Sequence, residues 1–324
     1  MGHFLKVFLI TFFITILLVM VGFYSYLKVF NPLDDIGPID GIDIEDYGDD
    51  NTGDSTATPF ENAVKNSNRI NVLVVGLEHV RTDTIMVASY DRKNKIANII
   101  SIPRDTLYER PGYKSNGLKI NAIYQDENID GLIDAVQEIL NIRIDKYVTV
   151  DYNAVIEGID VLGGVEVDVP FHMKYTDPSD NPPLIIDIPK GRRLLDGKTS
   201  LKFLRFRKGD LGYANYPNGD IGRIEAQQIF VKEAVKKLLS LKLPNFINSV
   251  YPYVKTNFST TQLLALASEL IGFSTENLKA DVLPGTGKYI GDLSFYVPEN
   301  EEIVKLIYTM YGLIEEESTQ GASE

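Results

Sequence analysis

The chain has 324 residues, with 32 basic against 45 acidic side chains and a formal net charge of −13. It contains no Cys, which excludes disulfides, thiol nucleophiles, thiolate zinc sites and iron–sulfur clusters together. The three histidines, His3, His79 and His172, are far apart and offer no His-based metal cage. The acidic balance argues against a nucleic-acid binder, which normally presents a basic face.

Charge and hydropathy divide the chain into unlike parts. Residues 1–6 are expected to be a cytoplasmic N-terminus. Residues 7–27 are an uncharged run rich in Phe, Ile, Leu and Val, long enough at 1.5 Å per residue to span roughly 30 Å of hydrocarbon. A cleaved signal peptide is the other reading. Its apolar core would be shorter and would end in a small-residue site, which Phe23-Tyr24-Ser25-Tyr26-Leu27-Lys28 lacks. The expectation is an uncleaved signal-anchor. Lys6 and Lys28 flank it on both sides, so the positive-inside rule orients it only weakly. Residues 28–68 are expected to be an acidic flexible linker. All ten charged side chains between 31 and 64 are acids, and large apolar residues are few, so ordering entropy goes uncompensated. The folded domain is expected over 69–314, and the acidic tail 315–324 is expected to be disordered.

Within that domain, Ile70–Val75, Thr84–Tyr90 and Ile96–Ile102 are apolar runs that predict buried strands. The last two are joined by a polar turn and predict a hairpin. Ile129–Leu140 has helical spacing. Tyr147–Val150 and Val165–Val169 predict strands, with a helix over Asn153–Val161 between them. Gly197–Phe206, Asp220–Leu241 and Thr261–Ile271 predict helices, Asp281–Leu283 a late strand, and Pro298–Tyr311 a last helix. Strands alternating with helices predict an α/β domain around a buried central sheet.

Four clusters place charge beside strand ends and helix starts. Glu78 and Asp83, five residues apart in a predicted loop, could hold a hard divalent cation such as Mg²⁺, with Arg81 between them; a solvated turn is the alternative. Arg104 and Asp105 follow the strand that ends in Ile102-Pro103, which suits phosphate binding or a structural ion pair. Lys119 with Asn121 is a weaker cluster, also readable as a helix face. Arg205, Arg207, Arg223 and Gln227 surround a Gly/Asn/Tyr-rich loop, and Asp220 is a candidate N-cap for the helix after it. Arg223 and Gln227 are four apart and share one helix face. Arginines near a helix start would grip a multiply charged anion; balancing an acidic loop is the alternative. No classical nucleophile set or Walker loop occurs. Arginines, carboxylates and a divalent cation without a protein nucleophile point to transfer of a phosphoryl-linked group.

At these clusters the chain strongly resembles the LytR-CpsA-Psr family of membrane-anchored bacterial enzymes. The matching stretches are Arg81-Thr82-Asp83-Thr84, Ser101 to Thr106, Lys119 to Ala122, Asp160 to Val167, Leu195-Asp196-Gly197, Arg205-Phe206-Arg207 and Asp220 through Gln227, in family order. The resemblance implies a three-layer αβα sandwich with a central mixed β-sheet, preceded by one N-terminal transmembrane helix. It implies transfer of a glycopolymer (teichoic acid, capsular or secondary wall polysaccharide) from an undecaprenyl-pyrophosphate carrier to the C6 hydroxyl of peptidoglycan N-acetylmuramic acid. The product is a phosphodiester, and an apolar groove receives the prenyl tail. It places the catalytic domain outside the cell membrane of a Gram-positive-type bacterium. By motif, Asp83, with Glu78 as the second candidate, would bind Mg²⁺. Arg81, Arg104, Arg205, Arg207, Arg223 and Gln227 would contact the pyrophosphate, with Lys119 close by. Asp105 and Asp220 would orient the arginines or act as base. The family commonly has Asp at the position of Glu78 and often Arg at that of Ala226. A non-catalytic polyprenyl-phosphate or wall-polymer binder, and a lipid pyrophosphatase, are the competing functions.

Overall fold

The computed structural model describes residues 31–34, 36, 59–65, 67–78, 81–180, 182–239, 243–270 and 272–314. The predicted span 7–27, most of the predicted linker and the tail 315–324 lie outside the described residues. Among the described residues, no helix is long and apolar enough to cross a membrane.

In chain order the elements are α1 (Pro59–Lys65), β1 (Arg69–Glu78), β2 (Arg81–Asp91), β3 (Ile96–Ile102), α2 (Ile120–Leu140), β4 (Lys146–Val150), α3 (Tyr152–Leu162) and β5 (Val165–Val169). Then follow β6 (Met173–Asp177), β7 (Leu184–Ile188), β8 (Gly191–Leu195), α4 (Gly197–Arg205), α5 (Asp220–Leu239) and α6 (Leu243–Val250). The chain ends with β9 (Val254–Thr256), α7 (Thr260–Glu269), β10 (Leu278–Val282), β11 (Gly285–Ile290), β12 (Leu293–Pro298) and α8 (Asn300–Met310).

The central sheet is mixed, with strand order β10-β3-β2-β1-β4-β9. β1, β2 and β3 form an antiparallel meander, while β4 runs parallel to β1 and β10 parallel to β3. Alternation sends Leu73, Val75, Ile85, Val87, Ile100 and Ile102 to one face. There they meet Ile120, Ile123, Leu132, Ile133, Val136 and Leu140 of α2, and Ile303 and Ile307 of α8. Each such fully buried side chain contributes roughly 1.5–3 kcal/mol. On the other face, Ile70 and Val72 meet Ala265 and Leu266 of α7. On that same side Gln228 of α5 donates to Ser101 Oγ of β3 at 3.1 Å. The result is a mixed α/β fold with helices against both faces of one central sheet.

A second core stands beside the first. The ribbons β5–β8 and β6–β7 pack Val165, Val167, Val169, Met173, Ile186, Ile188 and Leu195 against Ile159 and Leu162 of α3 and Phe203, Phe206, Tyr216 and Phe230. Caps fix the helices around it: Asp151 accepts from Ala154 N at 2.8 Å, and Asp196 from Thr199 N at 2.7 Å.

Several expectations shift. The domain begins before Arg69. Phe60 of α1 is buried in the first core and stacks on Tyr308 of α8 with centroids 5.1 Å apart. Leu33 is also buried, so parts of the predicted linker belong to the domain. A low average hydropathy hid two well-placed apolar side chains. α2 starts at Ile120, nine residues before the expected helix, and is interrupted at Asn128 (φ 60°, ψ −157°); the segment after that break matches the prediction. The ribbons β6–β8, the hairpin β11–β12, β9 and α6 were not anticipated. Their runs are short, and most are interleaved with Lys, Arg, Asp or Thr.

Candidate functional site

The site is built at the end of the sheet where β1 finishes and β2 begins. The predicted loop from Glu78 to Thr84 is largely strand. In the β1–β2 pairing Gly76 faces Thr84, but Leu77 faces Thr82. Asp83 is therefore the extra residue of a β-bulge, the device that re-aims a side chain at a strand end. Gly76 permits the close approach: a Cβ there would lie 3.1 Å from Thr84 Cβ.

Asp83 accepts from Arg104 Nη1 at 2.8 Å, with both side chains only about a quarter exposed or less. Arg104 follows β3 and Pro103, and its carbonyl accepts from Asn121 N at 3.2 Å, tying the loop to the start of α2. Next to it, Asp105 accepts from Lys119 Nζ at 3.0 Å. Asp105 was expected to orient an arginine; the structure pairs it with the lysine, because Lys119 directly precedes α2, which begins at this loop. The Lys119 ammonium also lies 5.4 Å over the Phe295 ring of β12.

The other half comes from α4 and α5. Arg205 ends α4 and donates through Nη2 to Asp180 at 2.8 Å, with its guanidinium 4.8 Å over the Tyr152 ring. Arg223 of α5 is buried, and Gln227, one turn on, donates to Leu204 O at 3.0 Å. Two small adjoining cavities join the halves. One, of about 60 Å³, is lined by Asp83, Arg205, Arg223 and Gln227 with Leu77, Val155, Leu201 and Leu204 among its apolar walls. The other, of about 10 Å³, is lined by Asp83, Arg104, Arg223 and Gln227 with Ser101. So Asp83, Arg104, Arg205, Arg223 and Gln227 converge across some 140 residues of sequence.

The remaining candidates sit differently. Arg81 and Arg207 are exposed and line neither cavity. Phe206, wholly buried, separates Arg207 from Arg205. Glu78 closes β1 opposite Arg81, and Asp220 opens α5; both of their side chains lie outside the described ones. Ala226 packs against the second core. Asp180 and Tyr152 were missed, since a carboxylate 25 residues before Arg205 in a Pro/Ser/Asp turn gives no pairing signal. A roomier cavity, about 560 Å³, lies between β10, β3 and α8 and mixes Arg69, Lys279 and Lys305 with Asp91, Asp281 and Glu302. It holds none of the candidate residues, so size does not mark the site here.

Beside the candidate residues the apolar lining encloses about 60 Å³, too little for a prenyl chain. The apolar wall of the larger cavity abuts the second core, where Phe171, Phe206 and Tyr216 pack with ring centroids 5.2–5.8 Å apart. Burial raises the Tyr216 phenol above its usual pKa, which keeps it protonated. For a cation, no group of three or more His, Cys, Asp or Glu occurs among the described residues. Among the described residues Asp83 puts a carboxylate on both cavities, and Asp151 lines the 60 Å³ one as well. That fits Mg²⁺, which commonly takes one or two carboxylates and completes its octahedron with substrate phosphates and water.

The chain is similar to known proteins over this same region. Polyisoprenyl-teichoic acid–peptidoglycan teichoic acid transferase TagV of Bacillus subtilis is 30% identical over 237 residues, covering 71% of this chain and 59% of the relative. The chain thus spans under two thirds of TagV's length. The similarly named TagU of Enterococcus faecalis is 28% identical over 255 residues, covering 75% of this chain and 79% of the relative. The crystal structure of B. subtilis TagV superposes with a TM-score of 0.63 at 28% identity, covering 75% of this chain and 97% of that one. The LytR_cpsA_psr family profile matches residues 44–311, taking in α1, the sheet, both halves of the site and α8, and the chain belongs to that family.

Proposed function

We propose that this protein is a phosphotransferase that moves a glycopolymer from an undecaprenyl-pyrophosphate carrier to the C6 hydroxyl of N-acetylmuramic acid in peptidoglycan. The observation that carries the reading is the convergence of Arg104, Arg205, Arg223, Gln227 and Asp83 on adjoining cavities with one apolar wall. A lipid pyrophosphate has those two chemistries, a charged head and a greasy tail. The names of the relatives TagV and TagU support the same transfer.

In the reaction the acceptor oxygen forms a bond to the phosphorus that carries the glycopolymer. The bond from that phosphorus to the bridging oxygen breaks, and the lipid leaves as a monophosphate. The hydroxyl proton passes to a carboxylate, for which Asp105 and Asp220 are the candidates, Asp83 being taken by the cation. Arg104 and Arg205 now pair with Asp83 and Asp180. An entering pyrophosphate exchanges those carboxylates for phosphate oxygens and so meets guanidinium groups already in position. Mg²⁺ held by Asp83 would neutralise charge that builds on the departing phosphate. Arg81, Arg207 and Lys119, which line neither cavity, are further candidate cations for the phosphates. The anchor over 7–27 would keep this domain on the outer surface of the membrane that holds the carrier.

The test is transfer from a synthetic lipid-pyrophosphate glycan to peptidoglycan fragments by the full chain. Phosphodiester product and lipid monophosphate are expected in equal amounts. Chelation with EDTA should stop the reaction and added Mg²⁺ restore it. Lipid monophosphate with free polymer phosphate and no attachment would establish a pyrophosphatase instead, and tight donor binding without turnover a binding protein.

A further inference from the structure

The stretch Asn31–Ile36 falls in the predicted linker, yet it is fixed to the domain at three points. Leu33 is 3% exposed and packs with Ile70 of β1 and Ala265 of α7, with Ile36 against the same cluster. Arg92, in the β2–β3 turn, donates through Nη1 to Asp34 at 3.0 Å and through Nε and Nη2 to the Glu269 carboxylate at 2.7–3.2 Å. Gln262 Nε2 reaches Pro32 O at 3.4 Å. A planar guanidinium that grips one carboxylate with two nitrogens and a second carboxylate with its third is a geometric fixture, not a loose surface pair.

These contacts lie at the end of the sheet where β1 begins and β2 finishes. The candidate site lies at the other end, and Ile70 to Gly76 of β1 spans about 20 Å. We propose that Asn31–Ile36 is a latch that turns the β2–β3 end of the domain toward the bilayer and holds the catalytic cavities about 20 Å further out. The proposal rests on the anchor reading of residues 7–27 given above. Three residues lie between Leu27 and Asn31 in the sequence, and the four Cα–Cα steps reach at most about 14 Å. The latched end is therefore kept at the lipid surface. Ile36 and Phe60 both pack on the domain, so the acidic residues between them set no distance from membrane to domain. Exposed Lys93 and Lys95 in the same turn suit anionic headgroups. The arrangement also asks the carrier's phosphates to rise about 20 Å above the lipid surface to reach the arginines.

The absence of cysteine makes the test direct. Full-length Lys93→Cys and Asp292→Cys variants, the second in the β11–β12 turn joined to Asp105 through Tyr296, would each carry one fluorophore. They would be placed in phosphatidylglycerol/phosphatidylethanolamine nanodiscs with doxyl-labelled lipid. Several-fold stronger quenching at 93 than at 292 is expected, and Arg92→Gln or Leu33→Ala should narrow the difference. Equal quenching at both positions, or stronger quenching at 292, overturns the latch. A chain that fails to co-purify with the discs overturns the anchor reading, and the latch as a membrane device with it. Flotation of the unlabelled chain separates the two failures.

Discussion

The two cores of this protein differ in kind. The first is a broad sheet whose buried residues are Leu, Ile and Val from strands of seven to eleven residues. The second is assembled from five-residue ribbons and closed by aromatic side chains. The first supplies Asp83 and Arg104; the elements bounding the second supply Arg205, Arg223 and Gln227. The candidate site is the seam between them. A wide sheet resists distortion because every strand is shared, whereas short ribbons around a few rings can part at lower cost. The difference suggests a division of labour, with one wall holding geometry and the other yielding to a tail.

The largest expected effect is loss of chemistry from either side of the seam. Arg104→Ala on the sheet side and Arg205→Ala on the ribbon side should each lower the transfer rate by about 10² or more. Each truncation takes the guanidinium from a mostly buried carboxylate, so melting is expected to fall too, and the Lys variants, which keep the charge, should lose transfer with little change in melting. Full turnover in either variant would mean that the site does not draw on both walls. Next is Leu73→Ala in the first core, where a fully buried side chain leaves a cavity. It should cost about 2–5 kcal/mol by denaturant unfolding, spread over the whole domain. By contrast, Leu204→Ala, at the point where the second core meets the cavity wall, should act mainly on the carrier, raising KM for long-chain donors more than for a short prenyl analogue. An equal shift for both donors would disconnect the second core from tail binding. A smaller effect is expected of Asp180→Asn, which loosens Arg205 without removing it: several-fold in KM for donor with kcat nearly retained. Smallest is Glu166→Gln on β5, whose partner Arg192 is largely exposed; no resolvable change in the unfolding midpoint is expected.

The same contrast governs what could be read from the sequence. β1, β2, β3 and β4 are apolar runs long enough to show their period, and α2 and α5 carry helical spacing, so the scaffold was legible. β7 and β8 are not: Leu184–Ile188 and Gly191–Leu195 alternate apolar residues with Asp187, Arg192 and Arg193, and sit between Pro and Gly. The hairpin β11–β12 begins Gly-Thr-Gly-Lys and reads as a loop. Within the site, the arginines were visible as types, and the shared face of Arg223 and Gln227 followed from spacing alone. The pairing of Arg205 with Asp180, and of Asp105 with Lys119 rather than with an arginine, required the fold, because sequence distance says nothing about which carboxylate arrives opposite which cation. The buried Phe60 and Leu33 were concealed by the acids around them.

The surplus residue at Asp83 has a consequence for how this hairpin would drift under mutation. A one-residue deletion there would let β1 and β2 pair without interruption, and the tidier ladder should fold at least as well. Selection for robustness alone would therefore erase the carboxylate, and only selection for the reaction would keep it. In a library of single-residue deletions across residues 76–84, sorting for folded yield should enrich the deletion at this one place, and sorting for transfer should remove it.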